Sequence, residues 1–321
     1  MKKIKIAILG ASEIAFRRFL PALMKDERFE YVGVAYYREQ DALKAQEFQN
    51  KYGGLIFHSF EEVFDDDNID AVYVPQPPAL HFQYGKKVLE SKKHLFMEKP
   101  FTTKYNDTCE LLNMAKKNNL AVTENYMFKY HKQIQEFIKY SNDGTIGKVK
   151  EYRVKFCFPL RDSNDFRYIK KLGGGALLDC GGYTILLSDM LTNFEGTLFP
   201  NEPIYESGFE VDMHGSGKII SNNLICNYYY GMNDKYECSA YAFGEKGVLF
   251  ADRIFTAPPD YNVIFLLKYY DGHEEKIIVG NDDTFLKSIN SFYECIVDDE
   301  KRLKCYNDIE RQSNLIEQII K

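Results

Sequence analysis

A turn near the N-terminus has the position expected of a dinucleotide-binding site. The segment Gly10-Ala11-Ser12-Glu13-Ile14-Ala15 follows an apolar run and opens an amphipathic stretch. In such a turn, glycines let the main chain approach a pyrophosphate at the N-terminus of a helix. Ser12 occupies the place of the second glycine. Taken alone, the segment therefore fits an ordinary strand-to-helix turn about as well as a nucleotide site. The preceding strand favours a nucleotide site, with four predicted ligands: Gly10, Ser12, Glu13 and Ile14.

The end of the second predicted strand carries an arginine. The chain there reads Ala35-Tyr36-Tyr37-Arg38-Glu39, whereas NAD enzymes place a carboxylate at this point to bind the ribose hydroxyls. A guanidinium pairs bidentately with a ribose 2′-phosphate, so Arg38 favours NADP over NAD. The alternative is a solvated surface arginine.

A lysine at the end of the fifth predicted strand is a candidate catalytic group. It belongs to Met97-Glu98-Lys99-Pro100, where the carboxyl edge of a parallel sheet opens into a ligand crevice. Lys99 could donate a hydrogen bond to a substrate oxygen and stabilise the negative charge that develops as a carbonyl accepts hydride. The alternative is a surface lysine whose stem packs on apolar neighbours.

A glycine-rich turn introduces a third candidate group. Leu172-Gly-Gly-Gly-Ala-Leu-Leu-Asp-Cys-Gly-Gly-Tyr183 leads into a predicted helix, on which Asp179 and Tyr183 would face the same way. The unperturbed pKa of a tyrosine is near ~10, and a neighbouring lysine cation would lower it and make the phenol a usable proton donor or acceptor. The alternative is that Tyr183 has a structural role only and is packed and hydrogen-bonded like most of the chain's 24 tyrosines.

Composition limits the function classes. The 321 residues carry 41 basic and 47 acidic side chains, which argues against a nucleic-acid-binding protein and suggests two domains. Seven scattered cysteines without a C-x-x-C pair indicate a reducing cytoplasm. No apolar run suits a signal peptide or a membrane span. The six histidines lack metal-ligand spacing and no nucleophile elbow is present, so we predict neither a metal nor hydrolase chemistry.

The apolar periodicity divides the chain into two halves. Up to about Val122, short apolar runs alternate with amphipathic stretches, which predicts an α/β region with a parallel sheet. Period-two alternation after about residue 148 predicts an α+β region with a large sheet. Two helices, Asp283–Asp298 and Asn307–Ile320, are expected to close the chain. The predicted strands are Ile4–Leu9, Tyr31–Tyr36, Leu55–Phe57, Ala71–Val74, His94–Met97, Leu120–Thr123, Val149–Phe158, Phe209–Ile219, Leu224–Tyr230, Tyr236–Ala242, Gly247–Asp252, Asn262–Tyr270 and Glu274–Val279.

Together, the glycine turn at Gly10–Ala15, the Glu98-Lys99-Pro100 signature and the Asp179-x-Gly181-x-Tyr183 pattern resemble the Gfo/Idh/MocA family of NAD(P)-dependent oxidoreductases. The resemblance implies a Rossmann domain over residues 1–123. An α+β domain with a large open, mostly antiparallel sheet is expected over residues 124–321, for substrate binding and assembly into a homodimer or homotetramer. The resemblance also implies that Lys99 is the catalytic lysine and Tyr183 the acid or base, with Asp179 as a further catalytic residue beside the tyrosine. Further cofactor-binding residues are implied: Arg38, Pro75, Gln76, His81 and Glu98.

Within the family, the segments around Ile14–Ala22, Tyr126–His131 and Asp165–Tyr168 are similar to nucleotide-sugar 3-ketoreductases. These enzymes use NADPH to reduce the C3 ketone of a dTDP-linked 4-keto-6-deoxyhexose, so NADP(H) is favoured and NAD(H) is the alternative. The implied substrate-binding residues are Arg161, Arg167 and Tyr126.

Two departures from the family pattern, Ser12 and Pro78, could alter the cofactor geometry. Two other functions stay open: a free-sugar or polyol NADP dehydrogenase, and a non-enzymatic dinucleotide sensor. The sequence names neither the sugar nor the direction of the reaction.

Overall fold

The structure is a computed structural model that describes residues 2–321, and its chain forms two compact units. The first unit contains the chain up to Tyr126 together with Phe285–Ser313, and the second contains Met127–Thr284 and Asn314–Lys321. The first unit is therefore discontinuous in sequence, whereas the predicted domain boundary was a single point between residues 123 and 124.

The first unit contains a six-stranded parallel sheet, as predicted. Its strands lie in the order β3-β2-β1-β4-β5-β6, so the direction of winding reverses between β1 and β4, where doubly wound sheets bind ligands. This confirms the Rossmann-type fold. The strands β1 to β6 are Ile4–Leu9, Phe29–Ala35, Leu55–Phe57, Ala71–Val74, His94–Met97 and Val122–Glu124.

Helices cover the strands and close the chain. Two short π-helical turns, Ala15–Phe19 and Leu177–Gly181, lead directly into α1 and α7. The last helix begins at Asp299, earlier than the predicted Asn307, because the Asp298 carboxylate accepts hydrogen bonds from the Glu300 and Lys301 N–H groups and caps the new start. The helices α1 to α9 are Leu20–Leu23, Ala42–Tyr52, Phe60–Asp65, His81–Glu90, Tyr105–Asn118, Lys132–Asn142, Gly182–Leu191, Thr284–Val297 and Asp299–Ile320.

The second unit contains the large, mostly antiparallel sheet. Its strands are ordered β15-β14-β13-β12-β7-β11-β10-β8, with β9 beside β10, and β7 pairs with β11 in parallel. The sequence did not predict β8 and β9, because they are short, largely exposed edge segments without an alternating apolar face. The strands β7 to β15 are Glu151–Cys157, Thr197–Pro200, Ile204–Tyr205, Asp212–Ser221, Leu224–Gly231, Glu237–Phe243, Gly247–Asp252, Val263–Tyr269 and Glu274–Gly280.

Each unit buries its own core. In the first, the Tyr73 ring stacks on Phe19 at a centroid distance of 4.0 Å and meets Phe96 edge-on at 5.3 Å. In the second, α7 packs against β7 and β11 and is buried on almost every side. Within residues 2–321, no helix combines the length and apolarity needed to cross a membrane.

Candidate active site

The turn after β1 depends on a glycine in a left-handed conformation. Gly10 has φ = 110°, and a Cβ there would lie 2.2 Å from Nε2 of Gln76. The Gln76 amide in turn donates to the carbonyl of Leu9. Ser12 Oγ accepts from the Ala15 N–H at 3.3 Å, so the serine that replaces a family glycine caps the first helical turn. The turn thus remains a tight, glycine-dependent connection at the switch point of the sheet.

Arg38 follows the end of β2 and remains accessible. Its side chain is 63% exposed, and its Nε donates to Oδ2 of Asp41 at 2.8 Å. Nearby, the Tyr36 hydroxyl meets Nδ1 of His58 at 2.8 Å. The Asp41 pair orients the guanidinium without burying it, so an anionic group can still approach.

His81 is completely buried behind the segments that follow β4 and β5. Its two ring nitrogens lie 2.7 Å from the carbonyl oxygens of Pro100 and Gln76. Burial lowers the pKa of His81 to about 4, while the carbonyl contacts oppose this shift. As a neutral imidazole the ring carries one N–H and donates to only one of these two carbonyl oxygens. The ring has no exposed surface for a ligand. Any part that His81 has in a cofactor site is therefore exerted through the main chain.

Glu98 is a buried carboxyl group with two donors. Tyr73 Oη and Asn125 Nδ2 each donate to its Oε1 at 2.7 Å. Burial raises the pKa of Glu98, whereas these two donors and the neighbouring Lys99 lower it. Donors of this kind stabilise the ionised carboxylate.

Contacts of the residues before and after Lys99 fix the main chain around it. It is partly buried, and its charge acts on both Glu98 and His81. On the far side of the cis Lys99–Pro100 bond, the Phe101 N–H donates to Oε1 of Glu124 at 2.7 Å. Among the predicted residues, the first unit therefore gathers a set at the carboxyl edge of its sheet: Gly10, Pro75, Gln76, His81, Glu98 and Lys99.

In the second unit, Tyr183 begins α7 within an aromatic cluster. Its ring packs against Phe128, Phe156 and Phe255 at centroid distances of 5.4 to 5.6 Å. Its hydroxyl lies 3.7 Å from Sδ of Met127. The π-helical turn before it carries Asp179, and turns of this type are frequent at functional sites.

Asp179 is paired with an arginine that the sequence had suggested as a substrate ligand. Arg167 donates from Nε to Asp179 at 2.8 Å and from Nη1 to Asp165 at 3.0 Å, and both carboxylates raise its pKa against the effect of burial. Arg161 is exposed instead, with its guanidinium 4.8 Å above the Phe158 ring. Two carboxylates already compensate the charge of Arg167, so Arg161 is the more accessible cation for a substrate.

Tyr126, the remaining predicted substrate residue, is only 1% exposed and ends the first segment of the first unit.

Two family models match the chain in succession. An oxidoreductase-family model with an NAD-binding Rossmann fold matches residues 4–126, and the Gfo/Idh/MocA C-terminal domain matches residues 132–249. A dTDP-3,4-didehydro-2,6-dideoxy-α-D-glucose 3-reductase from Saccharopolyspora spinosa is 31% identical over 297 residues, which is 91% of this chain and 87% of the relative. The chain belongs to the Gfo/Idh/MocA oxidoreductase family.

Other relatives extend the similarity to nearly full length. A reductase of the same name from Actinomadura kijaniata is 28% identical over 98% of this chain and 94% of the relative. The crystal structure of the A. kijaniata 3-ketoreductase KijD10 with NADP and TDP-benzene superposes with a TM-score of 0.94 at 28% identity, covering 99% of this chain and 97% of that chain. A Caulobacter crescentus aldose–aldose oxidoreductase shares the fold at 21% identity, with a TM-score of 0.86 and coverage of 99% and 97%.

The structure also shows residues around this Gfo/Idh/MocA site that the sequence did not reveal. Asp212 of β10 accepts a hydrogen bond from the Leu177 N–H at 2.7 Å, and a Cβ on Gly175 would lie 2.3 Å from its Oδ1. Asp212 thereby holds the turn that leads to Asp179. Its contact partners lie about 35 positions earlier in the chain, and no local pattern marks a pairing of that separation.

Asp212 should make folding stability depend on pH. Burial raises its pKa to about 6, although the Leu177 N–H opposes the shift. Because this pKa is higher in the folded than in the unfolded chain, stability should fall as the pH rises from about 4 to about 6. We expect the free energy of unfolding of wild type, relative to Asp212→Asn, to decrease by about 2 to 3 kcal/mol between pH 4 and pH 7, as measured by urea unfolding.

The control for that experiment is Asp143→Asn. Asp143 is a surface residue whose pKa is lowered by hydrogen bonds from Thr145, so its contribution should change with pH in the opposite direction. A constant difference between Asp212→Asn and wild type across this range would contradict the assignment.

Proposed function

We propose that the chain is an NADP(H)-dependent ketoreductase that acts on the C3 carbonyl of a nucleotide-linked deoxyhexose. The observation that carries this proposal is its similarity to dTDP-sugar 3-reductases over almost the whole length of both chains. A partial match to an NADP-dependent D-xylose 1-dehydrogenase covers only 56% of this chain, which favours the nucleotide-sugar substrate over the free sugar.

The two candidate catalytic residues have a counterpart in a solved relative. Structures of KijD10 include variants in which a lysine is replaced by alanine and a tyrosine by phenylalanine. In that protein the two positions are separated by the same number of residues as Lys99 and Tyr183 are here. This equal spacing supports the pairing of Lys99 and Tyr183 in one reaction.

The first unit has the features that a dinucleotide requires. Gly10 lets the main chain approach a pyrophosphate closely, and the helix capped by Ser12 directs N–H groups toward it. Arg38 is accessible to a 2′-phosphate, and Glu98 presents a carboxylate as an acceptor for a hydroxyl. When bound, NADPH supplies the hydride that reduces the carbonyl carbon.

The side chains of this protein would supply binding and the proton. Tyr183 gives the phenolic proton to the forming alkoxide, and Lys99 stabilises the negative charge on the oxygen and favours the phenolate left behind. Asp179, oriented by Arg167, accepts from a substrate hydroxyl or orders the surroundings of the tyrosine. We assign the diphosphate contact to Arg161, whose charge is accessible.

The division of labour follows the same proposal. Residues 1–123 would hold the dinucleotide, and residues 124–321 would bind the sugar and form a homodimer or homotetramer. Within the residues that the structure describes, no cysteine forms a disulfide, which supports the proposal of a cytoplasmic location.

Arg38→Ala should distinguish the two coenzymes. Removing a charge-assisted contact to the 2′-phosphate should weaken NADPH binding about tenfold to a hundredfold and leave NADH binding unchanged, as followed by nicotinamide fluorescence. Arg153→Ala is the control, because Arg153 is an exposed arginine of the second unit that also pairs with a carboxylate. Equal losses for both coenzymes would contradict the role of Arg38.

The substrate class can be tested with purified wild-type protein. We expect NADPH oxidation with a dTDP-linked 3-keto-6-deoxyhexose and at least a hundredfold lower kcat/KM with the same sugar lacking the nucleotide, because the diphosphate contact is then lost (about 2.7 kcal/mol or more). Reduction of NADP by free xylose or a polyol at a comparable rate would instead support the sugar dehydrogenase. Coenzyme binding without turnover of any of these compounds would favour the sensor.

Tyr183→Phe should separate chemistry from binding. The loss of the proton donor should lower kcat about a hundredfold to ten-thousandfold, while the aromatic packing and the NADPH affinity are retained. Tyr306→Phe, at a buried tyrosine whose hydroxyl donates to the Leu120 carbonyl, is a control for loss of a structural hydroxyl. Unchanged turnover in Tyr183→Phe would overturn its assignment.

A further inference from the structure

A chain of hydrogen bonds connects α8 to the carboxyl group of Glu98. Ser288 Oγ on α8 donates to Oδ1 of Asn125 at 2.9 Å, and Asn125 Nδ2 donates to Oε1 of Glu98 at 2.7 Å. The Tyr73 hydroxyl, from the end of β4, donates to the same oxygen at 2.7 Å. All four residues belong to the first unit, although Ser288 lies 163 positions after Asn125 in the chain.

The donors and acceptors in this chain have a definite direction. An asparagine amide offers a carbonyl on one side and an NH₂ group on the other. The ionised Glu98 carboxylate accepts only, so it requires the NH₂ group of Asn125 on its side, and the Ser288 hydroxyl then donates to the amide carbonyl. Ser288 and Asn125 are both completely buried, so a reversed amide would leave polar groups without partners at a cost in free energy.

Burial is the largest influence on the pKa of Glu98 and raises it, whereas the donors and the charge around the carboxyl group oppose this shift. An ionised carboxylate accepts hydrogen bonds only, and both Tyr73 and Asn125 present donors to it. The adjacent cation is Lys99. Two neutral side chains also face this region: Asn125, which follows β6, and Ser288 on α8. The nearby carboxylate of Glu124 accepts a hydrogen bond from the Phe101 N–H. Burial alone would favour the protonated acid.

We propose that Ser288, Asn125 and Tyr73 are positioning residues that favour the ionised form of Glu98 and orient it, so that the carboxylate can accept a hydrogen bond from a hydroxyl of the coenzyme. The role of Glu98 at the coenzyme rests on the proposed function. Ser288 acts through Asn125, from a helix that follows the first segment of the second unit in the sequence. Its effect should therefore appear in the titration of Glu98.

The direct test is the titration of Glu98 without coenzyme. Carbon-13 NMR of protein labelled at the glutamate carboxyl carbon, assigned with Glu98→Gln, gives its pKa in each variant. Asn125→Leu should raise that pKa by about one to two pH units, because a hydrogen bond to a charged group is lost. Tyr73→Phe should raise it by a similar amount, and Ser288→Ala by a smaller one in the same direction.

Matched controls remove equivalent hydroxyls elsewhere in the first unit. Ser313→Ala breaks a bond of 3.0 Å to Thr108, and Tyr306→Phe breaks a bond of 2.7 Å to the Leu120 carbonyl. Both should leave the Glu98 titration unchanged. Circular dichroism confirms that each variant is folded, and Tyr73→Phe retains the ring that packs on Phe19.

The link to the coenzyme is tested by the pH dependence of the NADPH dissociation constant. Binding should weaken below the pH at which Glu98 protonates, and this limb should move to higher pH in Ser288→Ala by the shift seen in the NMR titration. An unshifted Glu98 titration in Asn125→Leu and Ser288→Ala, with normal NADPH binding, overturns the inference alone. A shifted titration with no matching change in NADPH binding overturns the role at the coenzyme. A wild-type protein that binds no NADPH overturns the proposed function as well.

Discussion

The carboxyl edge of a parallel sheet leaves polar main-chain groups that the neighbouring strands cannot pair. In this protein, side chains from adjacent strand ends occupy that edge. Gln76 donates to the Leu9 carbonyl at the end of β1, His81 lies between the Gln76 and Pro100 carbonyls, and Glu124 accepts a hydrogen bond from the Phe101 N–H. Because buried polar groups are nearly always hydrogen-bonded, these contacts hold the loops in place. The positions of the glycine turn and of Lys99 both depend on them.

Three ionisable side chains in different environments lie close together at this edge. His81 is buried and neutral, Glu98 is buried with two donors, and Lys99 retains contact with solvent. An ammonium group offers hydrogen-bond donors and a positive charge, the two properties that a carbonyl oxygen needs as it gains negative charge.

The second unit uses a different device for its own candidate group. Three aromatic rings pack against Tyr183, and its hydroxyl lies near Sδ of Met127. The preceding turn is defined by polar contacts, with Arg167 between Asp165 and Asp179 and Asp212 on the Leu177 N–H. The glycines at 174 and 175 are needed there, because a Cβ would meet the Arg167 carbonyl at 2.3 Å and the Asp212 carboxylate at the same distance. Packing thus orients the phenol, while hydrogen bonds define the turn that delivers it.

The sequence alone determined the fold class and the location of the principal strands. Alternation of apolar residues is a local property, and β1, β3, β4 and β5 were predicted with the bounds that the structure shows. The glycine turn, Arg38 and the Lys99 segment were also visible, because each follows a strand within a few residues. Only the tertiary structure assigned Arg167 to two carboxylates, placed His81 on main-chain carbonyls, and brought Asp212, Asn125 and Ser288 to their partners. Apart from the contacts of Arg167 with Asp165 and of His81 with Gln76, these pairings join residues 12 to 163 positions apart in the chain. The burial that makes them strong exists only after the chain has folded.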